Sequence, residues 1–232
     1  MSEPTPAPRT ARERARVELT REILASAGRQ LVEVGPAALS LRAVARDLGM
    51  ASSAVYRYVE SRDALLTLLL VEGYEDLAAA LEASQEPLAE DDVSGRFRAL
   101  GRALRDWAHA QPHRWALLYG SPVPGYVAPA DTVGPATRVV APFLETLAAA
   151  QARPDAAVPP ALDDDLAASL APVSHAVQPP LLPGRTADGL GTWSALVGAV
   201  SLELFGHFNN AVLDPQAWFE HLLGRLEESF GR

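Results

Sequence analysis

The sequence predicts an all-α protein, and three observations carry that prediction. Apolar residues recur at spacings of three and four through most of the 232 residues. No alternating apolar and polar pattern of strand length occurs. Glycine and proline fall between the periodic stretches, where helices have to stop and start. A hydrophobic content of 48% is ample for a packed core. No internal repeat stands out.

A Pro-rich start, residues 1–9, is expected to be disordered. A first helix begins near Thr10 and sets Val17, Thr20, Leu24, Ala27, Leu31 and Val34 on one face. Gly35-Pro36 stops it. Ser40 is placed to cap a short second helix over about 41–48. Gly49 supplies the left-handed residue that ends it, and a third short helix covers about 51–58. Ser61 caps a long fourth helix to about Ala83, with Asp63 at the positive end of its dipole. The helix over 92–110 carries Phe97, Leu100, Leu104 and Trp107 on one face. Pro112 interrupts, a short helical turn spans Trp115 to Tyr119, and 119–129 is a loop by its Gly and Pro content. A helix over 135–151, a Pro-rich linker over 153–162 and a short helix over 163–170 follow. The stretch QPPLLPGRTADG, residues 178–189, reads as another break. Two strong helices close the chain, over 192–210 and 215–230, the second with Asp214 as N-cap and Pro215 as first residue.

Composition narrows the function. The chain contains no cysteine, which excludes disulfides and thiolate metal sites and fits a reducing cytoplasm. No apolar run before a cleavage site marks a signal peptide. The longest apolar stretch, residues 64–71, falls far short of the ~20 residues of a membrane helix, so no membrane partner is expected. The net charge is −9 but uneven. Residues 1–60 hold nine arginines against seven acids, and the remainder holds eleven against twenty-two. An acidic body with a mildly basic N-terminal end can meet nucleic acid through that end alone.

The short helices explain the charge. Leu41, Val44, Ala45 and Leu48 form one apolar face, and Met50, Val55 and Val59 another. They can close only on each other and on Leu24, Ala27 and Leu31, which makes a three-helix unit with a tight glycine turn, a helix-turn-helix. Ser52, Ser53, Tyr56, Arg57 and Tyr58 are left outside. Ala51-Ser52-Ser53-Ala54 is slim enough for a helix end to enter a DNA major groove.

The segments REILASAGRQLVEVG, LSLRAVARDLGMASSAVYRYV and ESRDALL resemble, in order and spacing, the DNA-binding domain of TetR-family transcriptional repressors. HRWALLYGSPVPGY and the Trp193 helix resemble one C-terminal subtype of that family. The resemblance implies a DNA-binding domain over 10–60 and a ligand-binding and dimerisation domain over 61–232. It implies phosphate contacts from Ser40, Arg42, Tyr56, Tyr58 and Arg62, with Arg57 nearby, and base contacts from Ser52 and Ser53. Arg9, Arg12, Arg14 and Arg16 enter the minor groove, or simply add positive field, or form an exposed helix face laced with Glu13 and Glu18. The chain departs from the family pattern at Ala51 for a capping Ser or Thr, Tyr58 for His, Val59 for Phe and Arg62 for Lys.

A single such unit binds DNA weakly, so a palindromic double-stranded operator and a homodimer are expected. The penultimate helix carries Trp193, Leu196, Val197, Val200 and Leu204 on one face, with Leu202 and Phe205 on another. The last helix adds Phe219, Leu222, Leu223 and Leu226. Together they are the expected dimer interface, one side packing inside the subunit and the other on a partner. Trp107, Trp115, Tyr119, Tyr126 and Phe143 are the expected lining of an effector cavity. A small apolar or amphipathic effector is expected to shift the population of DNA-competent dimers and release a repressor. His109 and His113 stand four apart, but Pro112 lies between them and no third ligand is in sight. Asp163-Asp164-Asp165 reads as a solvated helix start. No cofactor and no catalytic constellation is expected. Two other readings stay open: an all-α carrier or enzyme with a vestigial DNA-binding unit, and a DNA-binding regulator without a small-molecule ligand.

Overall fold

In the computed structural model, which describes residues 10–230, helices follow one another along the chain. Among the described residues there are ten α-helices, two short 3-10 turns and no strand. The helices are α1 Ala11–Val34, α2 Leu41–Asp47, α3 Ser52–Val55, α4 Arg62–Gln85, α5 Val93–Ala110, α6 Pro112–Tyr119, α7 Val133–Gln151, α8 Asp164–Ser174, α9 Pro183–Leu204 and α10 Pro215–Phe230. The expected disordered arm over 1–9, with Arg9, lies outside the described residues. The chain forms two compact units, Met1–Glu72 with Pro122–Pro129, and Gly73–Ser121 with Ala130–Arg232. The division falls inside α4, whereas the sequence suggests one ahead of it.

In the first unit, α1 starts with a capping box: the Thr10 hydroxyl accepts from the Glu13 N–H, and the Glu13 carboxylate accepts from the Thr10 N–H. The inward face is Ile23, Ser26, Ala27 and Leu31. It is rotated from the expected one: Val34 is exposed, and Ile23 takes the central place. Leu39, Leu41, Val44, Ala45, Val55, Val59, Leu65 and Leu66 complete a dry core. Ser26, buried on α1, donates to Asp47 at 2.7 Å, and Arg29 donates to the same carboxylate at 2.5 Å. The Ser26 hydrogen bond, then that of Arg29, hold the Asp47 carboxyl below its ordinary range.

In the second unit, α5 packs against α6, α7, α9 and α10. Its inner residues Phe97, Leu100, Leu104 and Trp107 meet Trp115, Phe143, Leu196, Val200, Phe219 and Leu223 in one core. Gly101 lets α10 come close, because a Cβ there would stand 2.4 Å from Leu223 Cδ2. The outer arginines of α5 tie down its neighbours: Arg98 binds Glu227, Arg102 binds Glu220, and Arg105 grips Glu203 with both nitrogens at 2.6 and 2.9 Å. Burial by itself would raise the Glu203 carboxyl. The hydrogen bonds and charge of Arg105, helped by His109 at 3.0 Å, reverse that and hold it below its ordinary value.

Several elements differ from expectation: α6 starts at Pro112 rather than near Trp115, and α8 runs on through Pro172 to Ser174. Helix α9 begins at Pro183, not near Thr192, and ends at Leu204. Glycines 184 and 189 look like breakers in sequence but serve contact here. A Cβ on Gly184 would lie 2.4 Å from the Pro160 carbonyl, and one on Gly189 would lie 2.6 Å from Leu147. Buried Arg185 donates to the Ala157 carbonyl at 2.7 Å, and Gln151 bonds both the Pro180 carbonyl and the Leu182 N–H. The linker over 153–162 is thereby held against the start of α9. Helix α3 is shorter than expected; beyond Val55 the chain continues in tight turns to Tyr58.

Candidate functional site

The helix-turn-helix is built by its glycine turn and its inward valines. Gly49 adopts φ +64°, which an L side chain rarely takes, and the Met50 N–H returns to the Ala45 carbonyl at 2.8 Å. Val55 and Val59 turn inward and are fully buried. That alternation forces Ala51, Ser52, Ser53, Tyr56 and Arg57 outward, with Tyr58 half-buried. Ser40 occupies the N-cap position of α2, yet its hydroxyl makes no capping bond; its N–H donates to Gln30 Oε1 at 3.2 Å. Arg42 projects from the first turn of α2 and is exposed.

Among the described residues, the side chains of Arg42, Ser52, Ser53, Tyr56, Arg57 and Tyr58 make no hydrogen bond or ion pair with the chain. One small region thus carries two guanidinium groups, two aliphatic hydroxyls and two phenols with no partner of their own. Arg62 differs. Its guanidinium donates to the Pro36 and Ala37 carbonyls at 2.9 and 3.0 Å and lies 3.7 Å from Asp63. It fastens the start of α4 to the turn after α1, which sequence reasoning did not anticipate. Ser61 does cap α4, its hydroxyl accepting from the Ala64 N–H at 3.0 Å. Arg12, Arg14 and Arg16 lie exposed on α1 without acidic partners among the described residues: Glu13 is engaged in the capping box, and Glu18 pairs with Arg21 at 3.6 Å.

The five expected cavity residues separate. Trp107 is buried and donates to Asp76 at 3.0 Å; Trp115 is buried and donates to Ser201 at 3.1 Å. Tyr119 packs its ring on Trp115, with centroids 4.6 Å apart, and also meets Tyr74 and Trp193. Burial, then the nearby Tyr74, push the Tyr119 phenol up from its ordinary value. Tyr126 belongs to the first unit, 2.9 Å from the Thr67 hydroxyl. Phe143 alone of the five lines an apolar cavity of about 320 Å³ between α7, α8 and α9. Its wall includes Val140, Leu147, Val173, Gly189, Thr192 and Trp193. Sequence reasoning missed the α8 and α9 walls because it took the start of α9 for a break. The signal was present as Gly189, Thr192, Trp193 and Leu196 at helical spacing. A larger opening of about 660 Å³ between α5 and α10 is lined by Arg98, Glu220, Glu227 and other polar groups. Among them Arg98 pairs with Glu227, and Glu220 pairs with Arg102.

The expected dimer residues divide as well. Leu196, Val200, Phe219 and Leu223 are fully buried within the subunit and belong to its core, so they present no surface to a second copy. Trp193, Val197, Leu204, Leu222 and Leu226 are half-buried against that core. The open face of α9 runs through Ser194, Gly198, Leu202 and Phe205; nothing stands within 4 Å of a Cβ built on Gly198. His109 pairs with Glu203, and no metal-binding group of three His, Cys, Asp or Glu occurs among the described residues. No described helix is long and apolar enough to cross a membrane.

Comparison with known proteins finds two family matches along the chain. Residues 23–69 match the family described as bacterial regulatory proteins, tetR family, and residues 97–226 match the tetracyclin repressor-like C-terminal domain. The chain is 46% identical over 217 residues to the HTH-type transcriptional regulators Rv1816 of Mycobacterium tuberculosis and Mb1846 of Mycobacterium bovis, covering 89% of each chain. It is 34% identical to the solved structure of SCO4313, with a TM-score of 0.77 over 94% of this chain and 98% of that one. A helix-turn-helix with unengaged polar groups, an all-helical second unit and these matches across both lead to one conclusion: the chain belongs to the TetR family of DNA-binding transcriptional regulators.

Proposed function

We propose that the protein is a ligand-responsive repressor that binds a palindromic operator as a homodimer and is released by a small apolar or amphipathic molecule. The observation that carries this reading is the set of unpartnered polar side chains on α2, α3 and the turns that follow α3. Free donors on a fixed scaffold can meet phosphates and base edges without first breaking internal bonds. Arg42, Tyr56 and Tyr58, with Ser40, contact phosphates; Ser52 and Ser53 face base edges; Arg57 adds local charge. Arg62 acts chiefly by holding α4 and the turn at Pro36 in place.

Two copies join through the open side of α9 and α10. Leu202 and Phe205, exposed at 43% and 46%, supply its apolar centre. Half-sites then lie about 34–36 Å apart on one face of the duplex. The effector occupies the α7–α8–α9 cavity and favours a subunit conformation that no longer fits both half-sites, a coupling of ~1–3 kcal/mol. The cytoplasm is the natural location for this activity.

The testing experiment is selection of bound sequences from random duplex DNA by the purified chain. A two-fold symmetric consensus supports the reading. Enrichment of no sequence at low salt defeats it and favours a carrier or enzyme on the same scaffold.

A further inference from the structure

We infer that the α7–α8–α9 cavity takes an uncharged, mainly aromatic or aliphatic ligand with a single hydrogen-bonding group that meets Thr192. This rests on the proposed ligand response and specifies its chemistry. The cavity holds about 320 Å³, and none of its lining residues carries a charge. Phe143 and Trp193 meet edge to face, with centroids 5.4 Å apart, and form its aromatic wall. Two threonines supply the hydroxyls of the lining, and the Trp193 indole carries its one N–H donor. Thr137 already donates to the Val133 carbonyl at 2.9 Å. Thr192 is 3% exposed, and among the described residues its hydroxyl finds no partner. The hydroxyl is not among the fully buried unsatisfied atoms of the described residues, so it keeps accessible surface that a ligand carrying one donor or acceptor can meet.

Charge is selected against by the same wall. An ionised ligand group here would lose its water without gaining a counter-charge. The nearby cation on α9 is Arg185, one turn before Gly189, but it does not line the cavity and is directed to the Ala157 carbonyl. Carboxylates, phosphates and ammonium groups are therefore disfavoured against this wall, and neutral ring systems bearing one hydroxyl, carbonyl or N–H are favoured. Trp193 also reaches Tyr119, with ring centroids 6.1 Å apart, so a ligand stacked on it extends an existing aromatic series.

The test uses two probes of one shape. N-phenyl-1-naphthylamine is neutral with one N–H; 1-anilinonaphthalene-8-sulfonate is the same skeleton with a fixed negative charge. Both fluoresce strongly only out of water, so one titration of the full chain reads both. Val173→Phe closes the cavity, and Thr192→Val keeps the shape without the hydroxyl; thermal melting checks that each variant folds. The neutral probe is expected to bind, and the sulfonate at least ~100-fold more weakly. Val173→Phe should abolish the neutral signal, and Thr192→Val should weaken it by ~3–10-fold. Equal or tighter sulfonate binding in the cavity overturns the inference, as does a neutral signal that survives Val173→Phe or ignores Thr192→Val. Absence of neutral binding overturns it too. Operator affinity is measured separately with the neutral probe at saturation. Discriminating binding that leaves operator affinity unchanged refutes the switch while leaving the ligand class intact.

Discussion

Phe205 closes α9 with 46% of its surface exposed, and the proposed dimer depends on it. A phenylalanine has roughly 200 Å² to bury, which leaves roughly 90 Å² open on each copy. At ~25 cal/mol per Å², covering that area is worth ~2 kcal/mol, and ~4–5 kcal/mol in a two-fold pair where the residue occurs twice. Association returns only part of the transfer value. Phe205→Ala should therefore raise the dimer dissociation constant by ~30-fold to ~1000-fold. Sedimentation velocity over a concentration series measures it. Leu223→Ala is the control, because Leu223 is fully buried within the subunit. That change should lower folding stability by ~2–5 kcal/mol while leaving self-association of the folded protein in place. An unchanged dissociation constant in Phe205→Ala, or a wild-type chain monomeric at every concentration, refutes the placement of the interface.

Other consequences follow from single contacts. Arg42→Ala should weaken operator binding and reduce the steepness of its salt dependence by about 1 for each protomer's lost phosphate contact, read by anisotropy titration at several salt concentrations. Tyr56→Phe should weaken binding with the salt slope nearly unchanged; a binding curve like that of wild type for either variant contradicts its assigned contact. Glu203→Gln leaves Arg105 gripping a neutral group in a nearly buried place, and should lower stability by about 2 kcal/mol at pH 7 in denaturant unfolding. The Glu203 carboxyl is depressed in the folded state, so its contribution is present above the unfolded glutamate value and fades as pH falls through the lower folded value. The gap between wild type and Glu203→Gln should narrow in that acid window, and a gap independent of pH rules this source out. Gly101→Ala sets a gain in helix propensity of ~1 kcal/mol against the contact with Leu223 at 2.4 Å. Overpacking costs ~1–3 kcal/mol, so the variant should be less stable than wild type. A melting temperature above wild type would show that α10 yields freely.

The helix-turn-helix was legible because its signals are local. Gly49 at positive φ, the inward Val55 and Val59 and the Ser61 cap are each set by neighbours within a few residues. The long-range pairings were not legible. The anchoring of Arg62 is one of them, because nothing in the sequence says that the Pro36 and Ala37 carbonyls face it. The start of α9 was obscured because glycine is a weak helix former, and only tertiary contact shows that Gly184 and Gly189 make room for Pro160 and Leu147. The engagement of Trp107 and Trp115 was hidden for the same reason: both are aromatic with polar tips, but Asp76 and Ser201, distant in sequence, satisfy those tips inside the core. Periodicity also could not separate the two sides of α9. It showed a helix apolar nearly all round, while burial decides that Leu196 and Val200 face inward and Leu202 and Phe205 face out.

The central claim is that the α2–α3 surface reads duplex DNA, twice, from a symmetric pair. Sequences selected by the purified chain, retested as intact palindrome and as single half-site by anisotropy at two salt concentrations, measure it most directly. The expected result is a two-fold symmetric consensus, much tighter binding to the palindrome than to the half-site, and loss of both on Arg42→Ala with Tyr56→Phe. Equal affinity for random duplex and selected sequence, unaltered by those two changes, would contradict it.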